Sequence, residues 1–333
     1  MQTTNRLFMV IPCYNEQEVL PETSKRLLEK YKDLISKGVI SDDSRIVFVN
    51  DGSKDNTWEI IEKLHDENPI FQGIKLSRNR GHQNALLSGL MTVKDICDVS
   101  ISMDADLQDD INAIDEMLEK YTQGKDIVFG VRSRRATDTF FKRFTAEGYY
   151  KLMNRMGADI VFNHADFRLM SSRALNMLAE FGEVNLFLRG IVPMIGLDTD
   201  IVYYERSERF AGESKYPLFK MLSFAFEGIT SLSTKPIRFI AELGVFIFIV
   251  SIAVLIYSLV RHFTGHTIPG WTTTVLSVWA IGGLTMISLG VIGEYIGKIY
   301  LETKNRPRYI IGKYLCDESD KEIISLTDVK FEK

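Results

Sequence analysis

The sequence predicts an α/β domain, a mostly parallel sheet flanked by helices, followed by a two-helix transmembrane hairpin. Three observations carry that expectation. Over residues 6–133, short apolar runs alternate with stretches of helical spacing, the rhythm of strand–helix–strand units. Two later segments, 243–260 and 271–293, hold no charged residue, and a membrane-crossing helix needs about 20 apolar residues. The whole chain of 333 residues is 45% hydrophobic and 25% charged, with a formal net charge of −4. Those averages exclude collagen-like, low-complexity and disordered chains, and the mild negative charge offers no footprint for a nucleic-acid partner.

The elements follow in order. Leu7–Ile11 is a short apolar run and reads as the first strand. Pro21–Ser36 places Leu27, Leu28, Tyr31, Leu34 and Ile35 at helical spacing. Arg45–Val49 is β-branched and runs into Asn-Asp-Gly-Ser, a turn signal. Asp55 stands as the cap of a helix reaching about Glu67. Phe71–Leu76 reads as a strand, Gln83–Val93 as a helix, Val99–Met103 as a strand, Asp110–Tyr121 as a helix and Asp126–Val131 as a strand. Beyond these, Phe140–Met156 reads as an aromatic-rich helix and Asp200–Tyr204 as a strand.

The charge-free segments are joined by a ten-residue loop containing Gly and Pro, which suits a hairpin. The stretch 206–238 carries six basic residues against three acidic, 298–313 carries five against one, and the loop 261–270 has one, Arg261. The positive-inside rule then puts both flanks in the cytoplasm, with Trp271 and Tyr257 near one interface. The expected organisation is a catalytic domain over 1–215, a juxtamembrane amphipathic region over 216–238, membrane helices within 239–297 (about 239–260 and 271–293) and a tail over 298–333. The N-terminus lacks the apolar core and cleavage site of a signal peptide. Cys13, Cys97 and Cys316 are odd in number and widely spaced, so neither a disulfide framework nor a zinc site is expected.

In parallel sheets, ligands bind beyond the carboxyl ends of the strands. That rule singles out Pro12–Glu16, Asn50–Ser53 and Asp104–Gln108, each directly after a strand. In Asp104-Ala105-Asp106-Leu107-Gln108 two carboxylates stand one residue apart on a turn. They can face one hard cation, magnesium or manganese, which takes oxygen ligands and leaves positions for phosphate oxygens. Gln108 can add a carbonyl oxygen. Tyr14 can stack on a base, and Glu16 or Asp51 can accept hydrogen bonds from a base or ribose. No GxGxxG or GxxxxGK[ST] is present, which argues against the usual dinucleotide and P-loop readings.

Pro-x-Tyr-Asn-Glu (12–16), Asn-Asp-Gly-Ser-x-Asp (50–55) and Asp-Ala-Asp-Leu-Gln (104–108), in this order and spacing, resemble a family 2 glycosyltransferase of the GT-A, Rossmann-like fold. Ala165–Leu169, Arg209–Tyr216, Gly293–Gly297 and Arg306-Pro307 narrow the resemblance to the polyprenyl-phosphate glycosyltransferases, the group of dolichol-phosphate mannose synthase and the bacterial bactoprenol glucosyltransferases. It covers about residues 6–312. The resemblance implies that Asp104, Asp106 and Gln108 hold the metal and the sugar-nucleotide diphosphate, and that Pro12, Tyr14, Glu16 and Asp51 line the nucleoside pocket. It implies that Arg132, Arg209 and Lys215 meet the acceptor phosphate, together with Arg143, Arg168 and Ser214, and that Asp166 stands near the reacting centre as a base or a positioning group.

The implied reaction is inverting transfer of a hexose from a nucleotide sugar to undecaprenyl or another polyprenyl phosphate at the cytoplasmic face of a bacterial inner membrane. The expected donor is UDP-glucose, with UDP-N-acetylglucosamine, UDP-galactose and GDP-mannose as alternatives. A homo-oligomer through the membrane region, a flippase and a periplasmic glycosyltransferase are the implied partners. A processive polysaccharide synthase is a remote alternative, since Gln-x-x-Arg-Trp is absent. A non-catalytic membrane scaffold is another, and its discriminating property is the absence of metal-dependent nucleotide release.

Overall fold

The computed structural model describes residues 4–133, 164–205, 230, 233–264, 270–317 and 320. Among these, strands β1 (Leu7–Cys13), β2 (Arg45–Asn50), β3 (Phe71–Leu76), β4 (Val99–Ser102), β5 (Ile127–Arg132), β6 (His164–Ser171), β7 (Thr199–Tyr204) and β8 (Ile311–Leu315) join one sheet in the order β7-β5-β6-β4-β1-β2-β3-β8. The pairings of β1 with β2 and β4, of β2 with β3 and of β5 with β7 are parallel. β6 runs antiparallel between β4 and β5, and β8 runs antiparallel along β3.

β1 is buried along its whole length, as expected of a central parallel strand covered on both faces. Its alternate residues face different layers. Leu7, Met9 and Ile11 pack in one cluster with Leu27, Tyr31, Leu34, Ile61 and Met117, from helices α1 (Leu20–Ser36), α2 (Thr57–Glu67) and α4 (Ala113–Thr122). Phe8 and Val10 pack in the other with Leu86, Leu90, Leu175 and Ile191, from α3 (His82–Val93), α5 (Ser172–Ala179) and α6 (Leu188–Met194). Each fully buried side chain of this kind is worth roughly 1.5–3 kcal/mol. The closest approach of the α3 layer is at Gly89, where an added Cβ would stand 2.3 Å from Val10 Cγ1 and 2.8 Å from Val49 Cγ2.

Two strands of this sheet were not expected. β6 carries the alternation Asp166-Phe167-Arg168-Leu169, a period of two that puts Phe167 and Leu169 into the core and Asp166 beside Arg168. Because β6 runs antiparallel, its first residues lie at the carboxyl ends of its neighbours: Arg168 pairs with Ser102 and His164 with Val131. β8 lies within the expected tail. Tyr314 donates to Gln72 Oε1 at 2.7 Å, Gln72 Nε2 and Arg6 Nη2 donate to the buried Asp320 at 2.8 and 2.7 Å, and Arg45 pairs with Asp317 at 2.9 Å.

A second unit includes Pro217–Asn305 and is described by helices α7 (Lys235–Phe263) and α8 (Trp271–Thr303). Both are long and apolar enough to cross a membrane. Large apolar side chains are bare along them, Phe246 at 63% and Trp279 at 78% exposure, a surface that water does not tolerate in bulk. Within this unit Tyr295 donates to the Ser233 carbonyl and Lys298 to Thr230 Oγ1. The expected helix Phe140–Met156 and nearly all of 206–232 lie outside the described residues.

Candidate active site

The carboxyl ends of β4, β1 and β2 lie side by side and carry the loops that the sequence singles out. The loops after β1 and β2 are stitched together through side chain to backbone hydrogen bonds. Asn15 N donates to Ser53 Oγ at 3.0 Å, Lys54 N to Asn15 Oδ1 at 2.9 Å, Glu16 N to Thr57 Oγ1 at 2.9 Å and Gln17 N to Asp55 Oδ2 at 3.2 Å. Asp55 therefore does more than start a helix: it also accepts from Thr57 Oγ1 and ties the two loops. Asn15 adopts φ 56°, a conformation that asparagine tolerates better than most residues. A cleft lined by Asn15–Val19, Lys54 and Asp55 results. Pro12 sits in β1 opposite Val49, and Tyr14 is 44% exposed beside the cleft, available for stacking.

Asp51 directly follows β2 and is only 2% exposed. Its two carboxylate oxygens accept from the backbone N–H groups of Arg80 (2.6 Å) and Gly81 (2.9 Å). Burial raises its pKa in spite of these bonds. The next residue, Gly52, has φ 66°, and a Cβ there would stand 2.6 Å from Asn79 N. Asp51 thus holds the 79–81 loop in place.

Asp104 follows β4 and is partly buried. Burial, opposed by His82 and reinforced by the charges of Asp109, Asp166 and Asp106, pushes its carboxyl up to about 6. Asp106 Oδ1 accepts from Gln108 N at 3.2 Å, and Gln108 is buried. The turn is anchored from below by Thr23 Oγ1, which donates to the Ala105 carbonyl at 2.8 Å. A divalent cation fits this donor set: it consists of hard oxygens, and a positive charge would relieve the strain on an Asp104 carboxylate surrounded by its like. Among the described residues no group of three or more His, Cys, Asp or Glu is arranged to hold an ion alone, so the remaining ligands would be phosphate and water oxygens.

Across the site stands Asp166, buried and gripped by three cationic side chains. Arg168 Nη2 donates to Oδ1 at 2.7 Å, Arg189 donates through Nη2 to Oδ2 at 3.0 Å and through Nε to Oδ1 at 3.3 Å, and His82 Nε2 lies 3.3 Å from Oδ2. Burial alone would raise this carboxyl, but His82, Arg189 and Arg168 hold it well below the usual aspartate range. His82 also lies 3.6 Å from Asp104 Oδ1. Desolvation opposes its charged form, yet the bond to Asp166 and the charge of Asp104 raise its pKa. His82 opens α3 directly after the β3 loop, and Arg189 stands on α6. Sequence reasoning missed both. The position of His82 at a strand–helix junction was a usable signal, whereas nothing local marks Arg189.

Arg168, implied by the resemblance to meet the acceptor phosphate, is 1% exposed. It donates through Nη2 to Asp166 Oδ1 and through Nη1 to the Leu188 carbonyl at 3.4 Å, so in this structure it braces Asp166 from behind. Arg132, the last residue of β5, stays partly exposed and pairs with Asp109 at 3.3 Å. Arg143, Arg209, Ser214 and Lys215 lie outside the described residues.

The chain is similar to known glycosyltransferases. A family model described as glycosyl transferase family 2 matches residues 8–178. The uncharacterized glycosyltransferase YkoT of Bacillus subtilis (strain 168) is 52% identical over 312 residues, covering 94% of this chain and 93% of that one. The SfII prophage-derived bactoprenol glucosyl transferase of Shigella flexneri is 40% identical over 310 residues, covering 92% and 98%. Among solved structures, the mannosyltransferase PcManGT from Pyrobaculum calidifontis, in complex with GDP-Man and Mn2+, superposes with a TM-score of 0.43 at 13% identity, covering 80% of this chain and 84% of that one.

Proposed function

The chain belongs to glycosyl transferase family 2 and is a glycosyltransferase; from that premise we propose that it transfers a hexose, with inversion, from a nucleotide sugar to a polyprenyl phosphate at the cytoplasmic face of a bacterial membrane. UDP-glucose is the proposed donor and undecaprenyl phosphate the proposed acceptor, in keeping with the bactoprenol glucosyl transferase at 40% identity. The observation that carries the reading is the juxtaposition of the Asp104–Gln108 turn with the cationic group His82, Arg189 and Arg132 at the same sheet edge.

The physical task is to bring two anions together. The Asp104–Gln108 turn would hold a divalent cation, magnesium or manganese, which when bound offsets the charge of the departing diphosphate. The nucleoside lies in the cleft beside Tyr14 and Glu16, with Asp51 holding the adjoining loop. The acceptor is a phosphate monoester with a second pKa near ~6, already a dianion in large part at neutral pH. It needs a cationic seat more than a base. Arg132 supplies one donor fork, and Arg209 and Lys215 are proposed to add to it. Asp166, held well below the usual aspartate range by three cations, is a poor base. Its proposed role is to orient His82 and Arg189 beside Asp104.

The membrane assignment is supported by connectivity. β8 pairs with β3 after the two apolar helices, so a chain that crosses a membrane between β7 and β8 crosses it an even number of times, with both ends on one side. The basic flanks make that side the cytoplasm. The proposed domains are a catalytic unit, a juxtamembrane region over 216–238 and the hairpin. Ile311–Leu315, within the region 298–333 that follows the hairpin, add a strand to the catalytic sheet. Assembly through the hairpin, a flippase and a periplasmic transferase complete the proposed context.

The test is a panel of radiolabelled UDP- and GDP-sugars incubated with membranes, divalent cation and undecaprenyl phosphate. Label entering a lipid-soluble product names the donor. Nucleotide release without any lipid-soluble product removes the polyprenyl acceptor from the reading.

A further inference from the structure

Asp109, Tyr204 and Arg132 form a closed triangle. β5 and β7 run parallel with Arg132 opposite Tyr204, so the last residues of two adjacent strands lie side by side. Arg132 Nε donates to the Tyr204 phenol oxygen at 3.2 Å, Tyr204 donates its proton to Asp109 Oδ1, and Arg132 Nη2 reaches the same oxygen at 3.3 Å. Asp109 Oδ1 accepts from both Tyr204 and Arg132, and Asp109 has 1% of its side chain exposed. The phenol ring is itself fixed, edge-on against Phe167 at 5.3 Å and 89°, and Phe167 lies between Asp166 and Arg168 in sequence. Asp109 belongs to the loop that begins with Asp104 and Asp106. The triangle therefore joins the turn that faces the donor diphosphate to the arginine at the end of β5.

The geometry points to Tyr204 and Asp109 as positioning residues that set the guanidinium of Arg132 for the acceptor phosphate and couple its position to the donor-side turn. This inference rests on the reading of Arg132 as an acceptor-phosphate cation given above. A long arginine side chain at a strand end samples many rotamers, and fixing it in advance spares that entropy when the acceptor arrives. The phenol and the carboxylate restrain it from two directions and leave the charge in place.

A double-mutant cycle on acceptor affinity tests it. Binding of undecaprenyl phosphate to the full chain in detergent micelles is measured with UDP and Mn2+ present, and UDP affinity is measured alongside. Tyr204→Phe keeps the ring against Phe167 and removes one hydroxyl. It is expected to weaken acceptor binding about five- to tenfold while UDP affinity stays within about twofold. Arg132→Ala is expected to weaken acceptor binding about thirtyfold, and adding Tyr204→Phe to it should change nothing further. Multiplicative losses in the double variant, or an equal loss of UDP affinity, overturn the inference. If Arg132→Ala weakens the acceptor and Tyr204→Phe does not, the positioning role fails alone. If Arg132→Ala is itself without effect on the acceptor, the reading of Arg132 falls and the inference falls with it. Should Tyr204→Phe unfold in micelles, Asp109→Asn breaks the triangle from the other side and must weaken the acceptor in its place.

Discussion

Two buried aspartates on one sheet edge are held in opposite ways. Asp51, directly after β2, gives its two oxygens to backbone N–H groups, and burial still raises its pKa. Asp166, in β6, gives its oxygens to Arg168, Arg189 and His82, and its pKa falls well below the ordinary value. Amide dipoles do not offset the desolvation of the first carboxylate, whereas neighbouring full charges more than offset that of the second. The contrast separates two parts of the site. Around Asp51 and Asn15 the loops are held in shape largely by hydrogen bonds to backbone N–H groups. Around Asp166 the carboxylate is balanced by basic side chains.

The comparison breaks most directly by removing each carboxylate. Asp166→Ala leaves Arg168 buried without its partner and should cost about 3–5 kcal/mol of stability. Asp51→Ala frees two backbone donors and should cost about 1–3 kcal/mol. Denaturant unfolding in micelles measures both, and equal costs would show that the two aspartates do the same job.

A smaller effect is expected on transfer in the conservative variant. Asp166→Asn keeps the shape and loses the charge that aligns His82 and Arg189, so lipid-linked product formation should drop about tenfold, less than the roughly 10²–10⁴-fold expected on losing a general acid or base. The loss should stay constant from pH 6.5 to ~9, because positioning does not depend on the acceptor's residual proton. A loss that vanishes as the pH rises identifies Asp166 as a base for the monoprotonated acceptor.

The smallest effect is on the pH dependence of stability, where the two sites differ in sign. The folded pKa of Asp166 lies below the ~3.9 of free aspartate, so its contribution is full above that value and is lost as the pH falls through the depressed one. The folded pKa of Asp51 lies above it, so its contribution is full below ~3.9 and is lost as the pH rises through the raised one. Unfolding free energies between pH 3 and 7, taken as differences from Asp166→Asn and Asp51→Asn, should therefore slope in opposite directions. Parallel slopes would remove the electrostatic distinction.

Much of the molecule was legible in one dimension. The strands β1 to β5 and β7, helices α1 to α4 and the apolar helices all announce themselves by local periodicity. The Asp104–Gln108 turn and the Tyr14–Glu16 and Asp51–Asp55 loops stand where a parallel sheet puts its ligands. β6 was hidden because its alternation places a charged pair, Asp166 and Arg168, where an apolar residue is usual, and charge obscures the pattern. β8 was hidden because it lies beyond the two apolar helices, more than 230 residues along the chain from the strand it pairs with.

Sequence alone determined the layers of the catalytic unit, the apolar hairpin and the loops facing the substrate, because each depends on periodicities within a few residues of one another. Tertiary structure decided which charges meet. Arg168 came to brace Asp166 from behind, His82 to stand between Asp104 and Asp166, and Arg189 and Tyr204 to enter the site at all. Apart from Arg168 and Asp166, neighbours on one face of β6, those pairings join elements that are distant in the chain. The ones that reach Asp166 follow from the antiparallel insertion of β6 between β4 and β5, and the one to Tyr204 from the parallel pairing of β5 with β7; only the strand order fixes either.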